Sequence, residues 1–233
     1  MASVTYEGIL AQLDALIGPI EGGDSRARRR LHILRVATEM FAKQGYRKTS
    51  MDEVAQRAGV AKGTLYTYYA TKNELLIASV ALEKREHIGE AMALLDPKLP
   101  AAERLRGWLM AVLLMPARMP LTAALLRGDQ ELAAVLAELP PELGAQVDQN
   151  RTDFMGTLID EVARPHGFTP SELRDRADVL AGLAYLSTHL QSEHVRGGVS
   201  MERYAEILAD TLVAGLRGGK RASTEPTPTG DEP

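Results

Sequence analysis

The sequence predicts an all-α protein. Apolar residues recur at spacings of three and four along most of the chain, which is the period of one helix face. Capping boxes at Ser50–Glu53 and Thr169–Glu172 mark two helix starts, and glycines mark several helix ends. With only 3 Phe, 7 Tyr and 1 Trp, the core must be filled by Leu, Ala, Val and Met, a composition that favours helices over sheets.

Basic residues are concentrated in one short block. The chain has a formal net charge of -4, yet residues 25–72 hold 11 Lys and Arg against 3 acids. Residues 1–24 hold 4 acids and no base, and residues 73–233 hold 16 bases and 24 acids. Because phosphates attract only the basic block, this distribution is typical of a nucleic-acid-binding module on an acidic body.

Several classes of protein are excluded by what the sequence lacks. Without cysteine there is no disulfide framework, thiolate metal site or cysteine nucleophile. No apolar run reaches the roughly 18 residues that span a bilayer, and no signal peptide is recognisable, so we expect a cytoplasmic protein without membrane contact. His189 and Glu193 lie one helical turn apart but have no third ligand at a recognisable spacing. We therefore expect no metal, no cofactor and no enzymatic activity.

An amphipathic helix is predicted before the basic block, over Tyr6–Ile17, and Gly18-Pro19 ends it. Its acidic charge argues against a phosphate contact. We expect its apolar stripe to be buried against the rest of the protein.

The basic block predicts three helices, of which the last two form a helix-turn-helix. The first helix carries an apolar stripe that stops at Gly45. The capping box at Ser50 starts the second helix, Gly59 supplies a left-handed turn, and the third helix is predicted over 60–69. The outer side of this third helix, which would meet a major groove, carries Lys62, Gly63, Thr64, Tyr66 and Thr67.

These residues also carry a family resemblance. The pattern Ile33-x3-Ala37-x3-Phe41-x3-Gly45 is followed by the runs 49–55 and 58–72, which resemble the signature of the TetR family of bacterial transcriptional regulators. The resemblance covers about Arg30 to Leu76. Two positions depart from it: Ala61 stands where a capping Ser is common, and Tyr69 stands where Phe is usual.

The resemblance implies a homodimer that binds double-stranded operator DNA. It implies that Lys62, Gly63 and Thr64 lie nearest the bases, and that the phosphates are contacted by Thr49, Ser50, Tyr66, Tyr68 and Lys72. We expect an arm before the first helix that adds backbone or minor-groove contacts through Arg26, Arg28, Arg29 and Arg30. The alternative for these arginines is an ordinary solvated charge run.

After Lys72 the sequence predicts helices to its end. They are Asn73–Leu95, Ala101–Met115, Leu121–Arg127, Asp129–Leu139, Pro141–Ala163, Ser171–Val195 and 200–217. The predicted organisation is an N-terminal extension over 1–24, a DNA-binding domain over 25–72, a ligand-binding and dimerisation domain over 73–217, and a disordered tail over 218–233.

The helix predicted over Ser171–Val195 is apolar on more than one face, so that one face needs a partner. The resemblance implies that the last two long helices pair with their symmetry mates. The candidate interface residues are Leu173, Leu183, Leu186, Leu190, Tyr204, Leu208 and Leu212. The alternative is a buried central helix in a monomer.

Large apolar residues on the central helices are candidates for a ligand pocket. They are Trp108, Met110, Leu114, Met115, Met119, Phe154, Met155, Leu158, Tyr185 and His189, and the alternative is that they form plain core. We therefore expect a sequence-specific repressor that a small apolar or amphipathic molecule releases from its operator. The alternatives are a ligandless factor or activator of the same fold and, from another class, a helical ligand carrier or enzyme.

Overall fold

The computed structural model describes residues 6–20, 24–93, 96, 98–138 and 156–218, with the backbone alone at 6, 7 and 91. All regular structure in this part of the chain is helical, which confirms the predicted fold class. The helices are α1 Tyr6–Ile17, α2 Ser25–Lys48, α3 Met51–Arg57, α4 Lys62–Tyr66, α5 Lys72–Ala93, α6 Ala101–Arg118, α7 Pro120–Leu126, α8 Gln130–Leu136, α9 described over 156–163, α10 Pro170–Ala181, α11 Leu183–Ser187 and α12 Met201–Arg217. A 3₁₀ turn over Arg164–His166 follows α9.

The first hydrophobic core joins the N-terminal helices to α5, α7 and α8. Ile33, Phe41 and Leu65 are fully buried in it, together with Leu121 of α7 and Leu132 of α8. Because α7 and α8 follow α5 in the chain, this core continues across the domain boundary that the sequence predicts at Lys72. α2 is thus packed directly against α5, α7 and α8 of the following domain.

The second hydrophobic core lies between α6, α9, α10 and α12. Its buried side chains include Leu109 of α6, Ile159 of α9 and Leu173 of α10. α12 buries one stripe against α6, formed by Ala205, Ala209, Val213 and Leu216. The spacing of these four residues is that of one helix face, so α12 turns its other long face outward.

α1 packs along α5, as its apolar stripe predicts. Leu13 and Ile17 are buried, and Asp14 forms an ion pair with Arg85 of α5. The hydroxyl of Tyr69 donates to the carbonyl of Ile17 at 3.0 Å. α1 is therefore attached both to the helix-turn-helix and to the helix that leaves it.

The arginine run does not form an arm, and this expectation is wrong. α2 begins at Ser25, and the Asp24 side chain caps it by accepting the N–H of Ala27 at 2.5 Å. The arginines therefore belong to the first two turns of α2. Near its other end, Gly45 leaves the helical conformation at φ 80°, and one more turn follows to Lys48.

The ends of α4 and α6 also differ from the prediction. α4 ends at Tyr66, and the hydroxyl of Thr67 donates to the carbonyl of Thr64 at 2.7 Å, which closes the helix three residues earlier than expected. α6 continues past Pro116 to Arg118, because a proline in the last turn removes a single backbone hydrogen bond. α6 and α7 are bent by 101° relative to each other, and no single helix among the described residues is long and apolar enough to cross a membrane.

The helix predicted over Ser171–Val195 is broken. α10 ends at Ala181, Gly182 separates it from α11, and turns follow α11. In these turns an N–H bonds the carbonyl three residues back, as from His189 to Leu186 at 3.0 Å. Gly182 has a low helix propensity, and the hydroxyl of Thr188 donates to the carbonyl of Tyr185 at 2.8 Å, competing with a regular helix. Residues 219–233 of the predicted tail and the first part of the Pro141–Ala163 helix lie outside the described residues.

Candidate nucleic-acid interface

α3 and α4 form the helix-turn-helix that the sequence predicts. The capping box at the start of α3 is complete: the N–H of Glu53 donates to Ser50 Oγ at 3.2 Å, and the N–H of Ser50 donates to Glu53 Oε2 at 3.1 Å. Gly59 turns the chain at φ 64°, and buried Leu65 anchors α4 to the first core. Ala61 gives α4 no side-chain cap.

The outer side of α4 is open to solvent. Lys62, Gly63, Tyr66 and Thr67 are exposed, and Thr64 is half-buried. A lysine ammonium can donate to the N7 and O6 acceptors of guanine in a major groove, and hydroxyls can donate or accept there. The chemistry of this surface is therefore suited to reading base edges.

Lys62 is not free on this surface, because it forms an ion pair with Asp52 of α3. Lys62 Nζ lies 2.8 Å from Asp52 Oδ1 and 2.9 Å from Oδ2. The hydrogen bond to Asp52 raises the pKa of Lys62 above its ordinary value. The sequence does not predict this pair, because residues ten apart on two different helices meet only through the turn at Gly59.

The arginines at the start of α2 reach the helix-turn-helix through Tyr68. The guanidinium carbons of Arg26 and Arg30 lie 5.9 Å and 5.4 Å from the centre of the Tyr68 ring. These are cation–π distances. Arg28 and Arg29 are exposed. The first turns of α2 thus bring positive charge beside the end of α4 without an extended arm.

Lys72 is the first residue of α5, and its ammonium group lies over an aromatic ring. Its Nζ lies 4.0 Å from the centre of the Tyr46 ring and 3.5 Å from the carbonyl oxygen of Arg47. Burial lowers the pKa of Lys72, while Glu131 and Glu53 act in the opposite direction. The Tyr46 hydroxyl donates to Asn73, so the ring that supports Lys72 is itself held in place.

Thr49 lies below the surface, although the resemblance implied a phosphate contact. It is 1% exposed, and its hydroxyl donates to the carbonyl of Gly45 at 2.8 Å. The hydroxyl therefore closes the break in α2, and the implied contact through this side chain is wrong. Ser50, the next residue, is exposed.

The predicted ligand residues separate into three groups. Half-buried residues of α6 and the α6–α7 junction are Trp108, Met110, Leu114, Met115 and Met119. Leu158 is 1% exposed within the second core, against which Trp108 and Met110 pack, whereas Tyr185 and His189 are exposed. Phe154 and Met155 lie outside the described residues. No group of His, Asp or Glu in the described ranges could hold a metal ion.

A cleft of about 550 Å³ lies between α2, α5 and the α6–α7 junction. Its charged lining includes Arg35, Lys43, Glu86 and Arg118, and none of the predicted ligand residues within the described ranges lines it. Glu83, at its inner wall, is 3% exposed. This cleft is therefore bordered by α2 on one side and by helices of the second domain on the other.

The predicted interface residues lie mostly on an outward surface. Leu173 is an exception: it is 5% exposed and packs in the second core, so its assignment to a dimer interface is wrong. Leu186 is 57% exposed, and the half-buried members are Leu183, Leu190, Tyr204, Leu208 and Leu212. Apolar residues outside this set are also exposed, among them Val179 at 71% and Ile207 at 48%. Helical spacing places Ile207 on the same α12 stripe as Tyr204 and Leu208.

Comparison with known proteins relates the N-terminal region to bacterial regulatory proteins. The family described as bacterial regulatory proteins, tetR family, matches residues 33–79. The HTH-type transcriptional regulator YhgD of Bacillus subtilis, described as uncharacterized, is 27% identical over 187 residues, which are 79% of this chain and 94% of that protein. The HTH-type transcriptional repressor KstR of Mycolicibacterium smegmatis is 39% identical over 62 residues, which are 27% of this chain and 30% of that protein.

The fold as a whole also has solved counterparts. The crystal structure of AibR in complex with isovaleryl coenzyme A and operator DNA superimposes with a TM-score of 0.60 at 20% identity, over 83% of this chain and 100% of that chain. At this identity the likeness concerns the fold.

Proposed function

Because the chain belongs to the TetR family of bacterial regulatory proteins, we propose that it represses transcription and is released from its operator by a small ligand. The main support for DNA binding is the exposed outer side of α4, which lies within the basic block. The protein acts in the cytoplasm as a homodimer on double-stranded DNA. Repression, as in the name of the KstR relative, is the output we propose here.

The contacts with DNA divide into two kinds. Lys62 and Thr64, with the backbone at Gly63, meet base edges in the major groove. The phosphates are contacted by Ser50, Tyr66, Thr67, Tyr68, Lys72, Arg28 and Arg29. The exposure of Lys62 and Tyr66 and the position of Lys72 at the start of α5 support this division.

Lys72→Ala and Lys62→Ala test this division. Lys72→Ala is expected to weaken binding to all DNA sequences alike and to reduce the slope of log K against log salt by about one unit per half-site, because it removes one phosphate contact. Lys62→Ala is expected to reduce discrimination between the operator and other sequences. Fluorescence anisotropy over a salt series, with a duplex selected from fragments of the source genome, measures both effects.

Lys43→Ala is the matched control for charge. Lys43 lies in the same basic block, but it pairs with Glu39 at 2.6 Å and lines the cleft behind α2. Lys43→Ala should leave the slope of log K against log salt close to that of the wild type. It should also leave the discrimination between the operator and other sequences unchanged. The division of contacts is wrong if Lys62→Ala and Lys72→Ala leave operator affinity unchanged.

A dimer is part of the proposal, because one helix-turn-helix covers only one half-site. The apolar residues exposed on α10, α11 and α12 support this. Val179, Leu186 and Ile207 are each close to half exposed or more, and monomers rarely expose such side chains in groups. A second copy of this chain would cover them.

The effector is proposed to bind against the half-buried side of α6. Trp108 and Met115, seven residues apart, lie on one side of that helix and offer adaptable apolar surface. The AibR complex holds isovaleryl coenzyme A, an amphipathic molecule with an apolar acyl group. A ligand of this amphipathic class is the first to test on the present chain.

To release the protein from its operator, the ligand must bind more tightly to the protein state that does not bind DNA than to the state that does. A coupling of about 1 to 3 kcal/mol changes affinity about 5- to 150-fold, and operator DNA must weaken ligand binding by the same factor. Isothermal titration of an acyl-coenzyme A series, repeated with operator present, measures both directions. We expect about a 10-fold loss of affinity in each direction, within the range of such couplings.

Trp108→Ala identifies the site, because it should weaken ligand binding while leaving operator affinity intact. A compound that binds equally well with and without operator is not an inducer. If no amphipathic ligand couples to DNA binding, the ligandless factor is the better description of this chain.

A further inference from the structure

Asp52 places a negative charge on the surface that is proposed to face DNA. It is the second residue of α3, its side chain is 63% exposed, and its carboxylate is bonded to Lys62 at the start of α4. A carboxylate near phosphates is repelled by them, and it also cancels the charge of the lysine that it binds. An ammonium has three N–H groups, so one of them remains available while the others bond the two Asp52 oxygens.

We propose that Asp52 is a specificity-determining residue that reserves Lys62 for a base acceptor; the inference rests on the DNA-binding function proposed above. On a sequence without a matching acceptor, Lys62 remains neutralised by Asp52, so the pair adds little to the non-specific attraction. On the operator, a base acceptor such as guanine O6 or N7 receives the remaining N–H of the oriented ammonium. Asp52 therefore lowers non-specific affinity more than operator affinity.

The strength of the pair fits this role. Ion pairs between side chains as exposed as these contribute little to stability, so base contact can rearrange the pair at small cost. A buried pair of the same geometry would lock Lys62 away from DNA. The complete Ser50–Glu53 capping box holds α3 independently of Asp52, so the carboxylate can be changed without removing the helix cap.

Asp52→Asn is the test. We expect non-specific affinity to rise, the salt slope on non-specific DNA to steepen by about one unit per half-site, and the ratio of operator to non-specific affinity to fall about 10-fold for a dimer, at about 3-fold per half-site. In a Lys62→Met background, Asp52→Asn should change operator and non-specific affinity by the same factor. The probes are a duplex selected by the wild-type protein and a scrambled duplex of equal composition.

Glu39→Gln is the matched control, since Glu39 pairs with Lys43 and Arg57 on the same domain without touching Lys62. It should leave the ratio unchanged. Suppose that the wild type prefers its selected duplex and that Asp52→Asn has the same ratio of operator to non-specific affinity as the wild type. The role of Asp52 is then refuted, while the proposed function stands. The same holds if the ratio falls equally in the Lys62→Met background. If the wild type shows no preference for any duplex, both the inference and the proposed function fail.

Discussion

Glu83→Ala is expected to lower the free energy of unfolding by about 3 kcal/mol, because it leaves buried N–H groups without acceptors. The Glu83 carboxylate accepts the N–H of Leu121 at 2.9 Å and both the N–H and the hydroxyl of Thr122 at 2.8 Å. These groups form the start of α7 and are largely buried with Glu83. Relief of the buried charge offsets part of the loss. Urea denaturation followed by circular dichroism measures the difference.

Glu86→Ala is the matched control for this prediction. Glu86 lies three residues further along α5, but its carboxylate is 41% exposed and pairs with Arg35 at 3.1 Å. An exposed pair of this kind contributes about 1 kcal/mol or less. If the two variants unfold at the same urea concentration, Glu83 is not the structural anchor of α7 that its hydrogen bonds indicate.

The same carboxylate has a bearing on regulation, because α7 packs against α2. Glu83 on α5 fixes the start of α7, and Arg47 of α2 forms an ion pair with Glu131 of α8 at 2.7 Å. The DNA-binding helices are thus joined to α7 and α8 as well as to α5. A movement of α5 would therefore reach α2 through α7 as well as through the turn at Lys72.

Leu186→Glu is expected to produce a monomer at micromolar concentration and to lower operator affinity at least 100-fold. A charge at this 57% exposed position would be desolvated in an interface, and a monomer contacts a single half-site. Analytical ultracentrifugation gives the oligomeric state, and anisotropy gives the affinity. Helical content should change little, because the side chain is exposed in the single chain.

Leu99→Glu is the corresponding control. Leu99 is an exposed leucine at 37%, in the connection between α5 and α6, and is not part of the α10–α12 surface. The variant adds the same charge and should remain a dimer with unchanged DNA binding. A wild type that sediments as a monomer would remove the dimer proposal, and a Leu186→Glu variant that stays dimeric would place the interface elsewhere.

Local signals in the sequence predicted much of the fold. The Ser50 and Thr169 capping boxes are present as expected, because a cap depends on residues three apart. Gly59 has the left-handed conformation that the turn requires. The apolar stripe of α1 is buried for the same reason, since helical spacing alone determines which residues share a face.

Contacts between distant residues could not be predicted in this way. The partner of Lys62 depends on how α3 and α4 cross, and the role of Glu83 depends on where α7 begins. Thr49 looks like a surface hydroxyl in the sequence, yet it closes the break at Gly45. The exposure of Tyr185 has another cause: the helix predicted over 171–195 is broken at Gly182, which changes the faces that are buried after it.

The position of α1 matters for anyone who would build a hybrid regulator from this chain. The usual exchange would join one protein's DNA-reading segment to another's effector-sensing segment near Lys72. Here such a junction would leave the Tyr69–Ile17 hydrogen bond intact but would separate Leu13 and Ile17 from the α5 surface that buries them. The transplantable unit instead runs from α1 through α5, and a recipient must also supply the equivalents of α7 and α8 against which that unit packs.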